Sequence, residues 1–259
     1  MSKFVIIPDS ASDLTIDLMK QYNIPEMIPL ILTVNDKVYP SATGDWTGIT
    51  SKEFYNIIKN KNAHVTSGAP SPEQCMEIYE KYLKQGLDVL IIAISSALSS
   101  TYSYALKAKE ELSNKYPDRK IYILDSKRYS TAELLLIINA SRLQSKGYSI
   151  EETYEELVNI REHLHQAGPM DDLMFLARNG RISNGKAFMG TLVGVNPIGE
   201  VDKSGLTKVL CKVKGSKKAL KVSLEYIKQT IINPSEQILI VANSNRKEKA
   251  DMFIKMIQE

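Results

Sequence analysis

Over its first 165 residues the chain alternates two periodicities, and this narrows the folds open to it more than any other feature. Short runs rich in Val and Ile occur at Phe4–Ile7, Met27–Val34, Val89–Ile94 and Ile121–Leu124. They show little polar alternation, the pattern of strands buried on both faces. Between them lie stretches with helical spacing and clear end signals. Thr50 with Glu53 forms a capping box ahead of Phe54-Tyr55 and Ile57-Ile58. Ser71, Pro72 and Gln74 supply N-cap, first and third helical positions, and Gly86 can end that helix. Ser149 with Glu152 opens a further helix expected to run to about Gln166. Strands alternating with helices of this length predict βαβ units: an α/β fold with a three-layer α/β/α domain and a mainly parallel sheet.

After Gly168-Pro169 the texture changes. Asn179-Gly180 signals a turn, and Pro197–Val201 and Leu206–Val213 flank Asp202-Lys203-Ser204-Gly205 as the arms of a β-hairpin. Ser216–Thr230 is expected to be a helix, Gln237–Ala242 a strand and Lys247–Gln258 a last helix. The spacing thus predicts two domains, residues 1–167 and a smaller α+β unit over residues 168–259.

Composition excludes several classes. Hydrophobic residues make up 43% of 259, enough for a packed core. With 33 Lys+Arg and 30 Asp+Glu the net charge is +3, too weak a field to suggest nucleic acid as a partner. Two Cys (Cys75, Cys211) and three His give neither a disulfide framework nor a dedicated metal site. The opening MSKFVIIPDSASD lacks a signal-peptide pattern, and the apolar runs fall far short of the roughly 20 residues of a membrane span. A soluble, cytoplasmic protein is expected.

The chemistry stands where the predicted parallel strands end. Asp9-Ser10-Ala11-Ser12-Asp13 follows the first strand. Ser95-Ser96 and Ser99-Ser100-Thr101 follow the third, Asp125-Ser126 follows the fourth, and Thr66-Ser67 precedes the helix at Pro72. Ligands of open α/β sheets bind beyond such ends, where helix N-termini also present free N–H groups. Hydroxyls with few basic residues suit a small oxyanion, a carboxylate or a phosphate; the same residues also serve as ordinary N-caps. Other chemistries weaken. No phosphate-binding glycine loop is present, since Lys214-Gly215-Ser216-Lys217 lacks the upstream glycine, and no Gly-x-Ser-x-Gly elbow occurs. A Ser-dependent esterase would have to recruit His64, His163 or His165, of which His64 alone lies near the strand ends. Asp171-Asp172 suits a turn or cap better than a catalytic pair. Seven lysines between Lys203 and Lys221 form either a solvated face or a docking surface for an acidic partner, and Arg181 follows the Asn179-Gly180 turn as a candidate for forked oxyanion contacts.

Taken in order, Asp9-Ser10-Ala11-Ser12-Asp13-Leu14, Ile28-Pro29-Leu30, Thr66-Ser67 with Pro70-Ser71-Pro72, Ser95-Ser96-Ala97-Leu98-Ser99-Ser100-Thr101-Tyr102, Leu124-Asp125-Ser126-Lys127 and Asn179-Gly180-Arg181-Ile182-Ser183 resemble the DegV family across nearly the whole chain. That family includes the fatty-acid-binding subunits of bacterial fatty acid kinase. The resemblance implies a two-domain fold with a long-chain fatty acid, such as palmitate, held in a tunnel between the domains. It implies a carrier without cofactor, whose partner kinase supplies ATP and metal for phosphorylation to acyl phosphate. By the resemblance Thr66 and Ser99 bind the carboxylate, and Arg181 handles the head group or meets the kinase. Ser67, Ser96 and Ser126 are further candidates for head-group or partner contact. Transient contact with a membrane surface is compatible with this reading.

The departures are specific. The Thr66 loop is one residue longer than the usual form, Pro8 stands where Thr is usual, and Asn179 replaces a glycine. Ser100 also stands for a glycine, which strains the turn if φ is positive there. The family continues into a strand and a His-x-Gly-x-Gly segment whose His touches the head group; this sequence stops at Glu259, so that third ligand is expected to be absent. Energetically the tail should dominate. Burying a CH₂ is worth about 0.8 kcal/mol, so an acyl chain of ~16 carbons gains on the order of 10 kcal/mol before association costs. The hydroxyls would then set orientation.

Overall fold

The structure, a computed structural model, describes residues 3–40, 46, 48–60, 62–170, 173–182 and 195–259. The chain divides into two compact units, residues 1–164 and 165–259.

Three of the four sequence-predicted strands form the parallel sheet of the first unit. These are β1 (Phe4–Pro8), β5 (Asp88–Ala93) and β6 (Ile121–Asp125), in spatial order β1-β5-β6. In register, Ile7 lies beside Ile91 and Ile91 beside Ile123, while Ile6 lies beside Leu90 and Ile92 beside Leu124. Successive side chains point to opposite faces, so these two sets line two separate cores. On one face Ile7, Val89, Ile91, Ile121 and Ile123 pack with Cys75 and Tyr79 of α3 (Pro72–Leu83) and with Ala105, Ala108 and Leu112 of α4 (Thr101–Lys115). On the other lie α5 (Ser130–Ser145) and α6 (Ile150–Glu162), the latter stacking Tyr154 on Tyr122 of β6 at 5.0 Å. All six residues of β5 are buried, which is why its sequence carries no polar alternation. The layering is α/β/α, as the alternating periodicities predict.

The helices begin where their caps predict. Capping boxes close the first turns of α2 (Ser51–Ile58) through Thr50 and Glu53, of α3 through Ser71 and Gln74, and of α6 through Ser149 and Glu152. Gly86, at φ +75°, ends the α3 segment. Helix α6 stops at Glu162 instead of continuing to Gln166. Gln166 is already occupied in pairing, its carbonyl accepting the Val201 N–H at 3.1 Å.

The run Met27–Val34 behaves differently from the expectation of a strand within the parallel sheet. Ile28 makes an isolated parallel bridge with Asp9, and only β2 (Ile31–Val34) is a strand. It is the centre of a separate antiparallel sheet, β3-β2-β4, with β3 (Lys37–Pro40) and β4 (Val65–Gly68). Asn35 and Asp36, at φ +47° and +67°, make the two-residue turn between β2 and β3. Both residue types tolerate the left-handed region that such hairpins require. The first described α-helix is α1 (Ile16–Gln21), capped by Thr15, after a short 3-10 turn at Ser10–Ser12.

In the second unit β7 (Ala167–Pro169), β8 (Val195–Val201) and β9 (Thr207–Lys214) form an antiparallel sheet. The expected hairpin turn is closed by Asp202, whose Oδ1 accepts the Ser204 and Leu206 N–H groups. Helix α7 (Leu173–Arg178) precedes the Asn179-Gly180 turn, and α8 (Ser216–Thr230) and α9 (Lys247–Gln258) match their expected spans. Gln237–Ala242 does not form the expected strand: it has no ladder partner among the described residues, and Leu239 is exposed. β-propensity cannot substitute for the missing pairing, because an unpaired strand leaves its peptide groups to water. Asp171, Asp172 and Ser183 lie outside the described residues.

Replacing Ile91, fully buried at the centre of β5, by Ala should cost about 3 kcal/mol by the cavity it leaves. Urea unfolding should show this as a lower midpoint at unchanged slope.

Candidate functional site

The carboxyl ends of β1, β5 and β6 leave backbone groups unpaired just where the serine and aspartate clusters stand. Asp9, fully buried, directly follows β1. Its Oδ1 accepts the Ala11 N–H at 2.9 Å and its Oδ2 the Ile94 N–H at 2.7 Å, so one carboxylate ties the end of β1 to the end of β5. Burial raises its pKa to about 6, against the lowering effect of those two N–H donors. Ser10 Oγ accepts the Leu30 N–H at 3.0 Å and so links this loop to the entry of β2.

At the end of β5, Ser95 is buried and its N–H donates to the Arg128 carbonyl at 2.9 Å. Ser96 is exposed and crosses to β6, its hydroxyl donating to Asp125 Oδ2 at 2.6 Å and its N–H to Oδ1 at 3.1 Å. Ser99, half-buried, faces Thr101 hydroxyl to hydroxyl at 2.8 Å and accepts the Thr101 N–H at 3.3 Å. Ser100 has φ −75°, so the turn that a glycine usually fills carries no strain here. The N-cap residue of α4, Ser100, makes no capping bond, in contrast to the boxed ends of α2, α3 and α6, and the Ser99 hydroxyl meets only the first N–H of the helix.

Ser126, at the end of β6, is fully buried and locally committed. Its hydroxyl donates to the Arg128 carbonyl at 2.8 Å and accepts the Arg128 N–H at 3.1 Å. Thr66 and Ser67 occupy a different sheet, exposed on β4 opposite Thr33 and Leu32. The structure therefore joins Ser96 to Asp125, Ser99 to Thr101 and Ser126 to Arg128. The segment leading into the sheet that bears Thr66 and Ser67 meets the β1 loop, the Leu30 N–H donating to Ser10 Oγ and the Ile28 carbonyl accepting the Ser10 N–H. Arg181 belongs to the second unit, exposed, and donates from its guanidinium to the Asn179 carbonyl. His64 is exposed and its N–H donates to Asn35 Oδ1 at 3.1 Å, whereas His165 Nδ1 meets the Tyr226 hydroxyl at 3.0 Å. Lys208 of the lysine-rich hairpin pairs with Glu200 at 3.4 Å.

Cations that sequence reasoning did not assign also reach this region. Arg161, at the end of α6, donates to the Asp125 carbonyl at 2.7 Å with a side chain only 13% exposed. Arg128, 5% exposed, donates to the carbonyls of Lys127, Arg161 and Leu164. A basic residue in the last turn of a helix suggests a C-terminal charge partner; the reach of Arg161 back to β6 spans 36 positions and has no local signal. Among the described residues no group of three or more His, Cys, Asp or Glu is placed to hold a metal ion, and no helix is long and apolar enough to cross a membrane.

A three-layer α/β unit with hydroxyls and a helix start beyond its parallel strands, followed by a smaller α+β unit, is the class of fold to which the chain conforms, and the chemistry at those strand ends suits an oxyanion. Comparison with known proteins makes this particular. The family model described as "uncharacterised protein, DegV family" matches residues 3–259, and the chain belongs to the DegV family. It is 36% identical to DegV domain-containing protein CPE0026 of Clostridium perfringens, over all of this chain and 88% of that protein. A solved DegV family protein from Thermus thermophilus, described for its fatty acid binding, is 29% identical with a TM-score of 0.77, covering 88% of this chain and 77% of that one. DegV from Bacillus subtilis, described as a fatty acid binding protein, is 26% identical with a TM-score of 0.83, covering 100% and 88%.

Ser126→Ala should take the acceptor from the buried Arg128 N–H, while the Arg128 carbonyl keeps the Ser95 N–H, and lower stability by about 1–3 kcal/mol. The check is chemical unfolding of the variant beside the parent chain.

Proposed function

We propose that this chain is a non-catalytic fatty-acid-binding protein of the bacterial cytoplasm. In this reading it holds a long-chain fatty acid and presents the carboxylate to a separate kinase for conversion to acyl phosphate. The observation that carries the reading is the start of α4, where the Ser99–Thr101 hydroxyl pair stands at a helix N-terminus whose N-cap residue, Ser100, makes no capping bond. Free N–H groups and the positive end of the helix dipole favour a carboxylate there. Thr66, exposed on β4, is the second assigned carboxylate ligand. Hydroxyls and peptide N–H groups hold the head without a tight ion pair, which leaves its oxygens open to phosphoryl transfer. The fatty acid binding described for the relatives from Thermus thermophilus and Bacillus subtilis supports the ligand class. Arg181 and Ser96 serve as further head-group or kinase contacts. Ser67, exposed beside Thr66, belongs with them, whereas Ser126 supports the site from beneath.

A Ser-dependent esterase is the weaker reading, because the Ser96 hydroxyl donates to the Asp125 carboxylate and Ser99 pairs with Thr101, so neither is set against an imidazole base.

Mass spectrometry of an organic extract of the purified protein should yield a fatty acid at close to one per chain. Ser99→Ala and Thr66→Ala should each weaken retention roughly tenfold, the worth of one hydrogen bond to a charged group. Unchanged binding in both variants contradicts the head-group assignment. Acyl phosphate should appear with a bacterial fatty acid kinase and ATP, and not from this chain with ATP alone.

A further inference from the structure

Glu133 is the least expected side chain in the molecule. It lies in the first turn of α5, is fully buried, and among the described residues neither of its carboxyl oxygens meets a hydrogen-bond donor. Foremost among the described groups acting on it is the equally buried carboxyl of Asp9. Asp9 already receives two peptide N–H groups, from Ala11 and Ile94, which is an environment for the ionised form. Glu133 receives none, which is an environment for the neutral form.

Among the described residues, the groups that act most on Glu133 are carboxylates and not cations. Asp13, following the β1 loop, and Asp125, at the end of β6, both bear on Glu133 as negative charges. Cys75 and Tyr79 of α3 face Asp9 from the opposite layer, and burial first of all keeps the Cys75 thiol up at about 11 and the Tyr79 hydroxyl well above its ordinary value. The buried guanidinium of Arg128 is directed at the carbonyls of Lys127, Arg161 and Leu164. The dipole of α5 favours an anion in its first turn, but a helix terminus offsets only a small part of burying a second charge.

The backbone here is held, not relaxed. Asp13, Lys127 and Ser130 are non-glycine residues in the left-handed region, at φ +56°, +50° and +55°. The Ser130 hydroxyl donates to the Asp13 carboxylate across the same junction. Such conformations persist where the surroundings over-determine them.

We propose that Asp9 and Glu133 share a single proton around neutral pH, and that this proton is a latch fastening the first turn of α5 to the ends of β1 and β5. Protonated Glu133 donates to the Asp9 carboxylate. Removing the proton leaves two buried anions facing one another and drives the α5 turn away from the loops that carry Ser95 and Ser126. The latch operates whatever ligand the protein binds.

The direction with pH follows from the sign of the shifts. Both folded-state values lie above the unfolded ones, mainly through burial, so the native protein holds protons that the unfolded chain has released. The stability that this pair contributes is therefore complete below about pH 4 and declines as pH rises through the folded-state values. Between about pH 5 and about pH 8 the melting temperature of the full chain should fall by at least about 3 °C. Glu133→Gln carries the donor permanently. It should remove half or more of that fall and melt higher than the parent at about pH 8. The Ile94 amide, which donates to Asp9, should exchange faster at high pH in the parent beyond the intrinsic base effect, and not in Glu133→Gln. If Glu133→Gln retains the full pH dependence, the latch does not exist. Should that variant fail to fold, the parent chain labelled at glutamate carboxyl carbons decides. One glutamate resonance at its protonated position in neutral buffer sustains the proposal, and all glutamates ionised overturns it.

Discussion

One carboxylate organises the end of the parallel sheet. Asp9 follows the last residue of β1, and its two oxygens take the first N–H beyond β5 and an N–H of its own loop. Parallel strands stop with peptide groups unmet, and each buried one left without a partner costs about 1–3 kcal/mol. Around Asp9 the chain meets that demand with short polar side chains. Ser10 holds Leu30, Ser126 holds Arg128, and the Ser95 hydroxyl accepts the Ala97 N–H. The clustering of serines and aspartates at strand ends is first a solution to closure of the sheet. A ligand site can then be built on what closure leaves exposed.

That division explains which parts of the site were legible in the sequence. Its location was, because strand ends follow from the Val/Ile runs and the clusters stand directly after them. The role of each residue was not. Ser126 and Ser99 look alike in the sequence, yet one is fully buried in a local bond pair and the other is half-exposed at a helix start. Their difference comes from burial, which depends on residues packed from elsewhere in the chain. Arg161 and Glu133 escaped notice for the same reason. Each occupies an ordinary helical position, and only packing brings Arg161 onto the Asp125 carbonyl and Glu133 against Asp9.

The fold follows a similar rule. Elements with local causes were legible: the capped helices α2, α3 and α6, the fully buried strand β5, and the hairpin closed by Asp202. Strands β3 and β4 were not, since they gain their character by pairing with β2. β3 exposes Val38, and β4 reads Val-Thr-Ser-Gly. Gln237–Ala242 shows the reverse, a stretch with strand composition and no partner among the described residues. Pairing, not propensity, decided both outcomes.

The unboxed start of α4 has a thermodynamic meaning beyond binding geometry. Every other long helix of the first unit except α5 closes its first turn with its own side chains, through Thr50, Ser71 or Ser149. An anion seated on α4 would therefore double as its missing cap. Occupancy and local order would rise together, so the fraying of one helical turn becomes a gauge of how full the protein is.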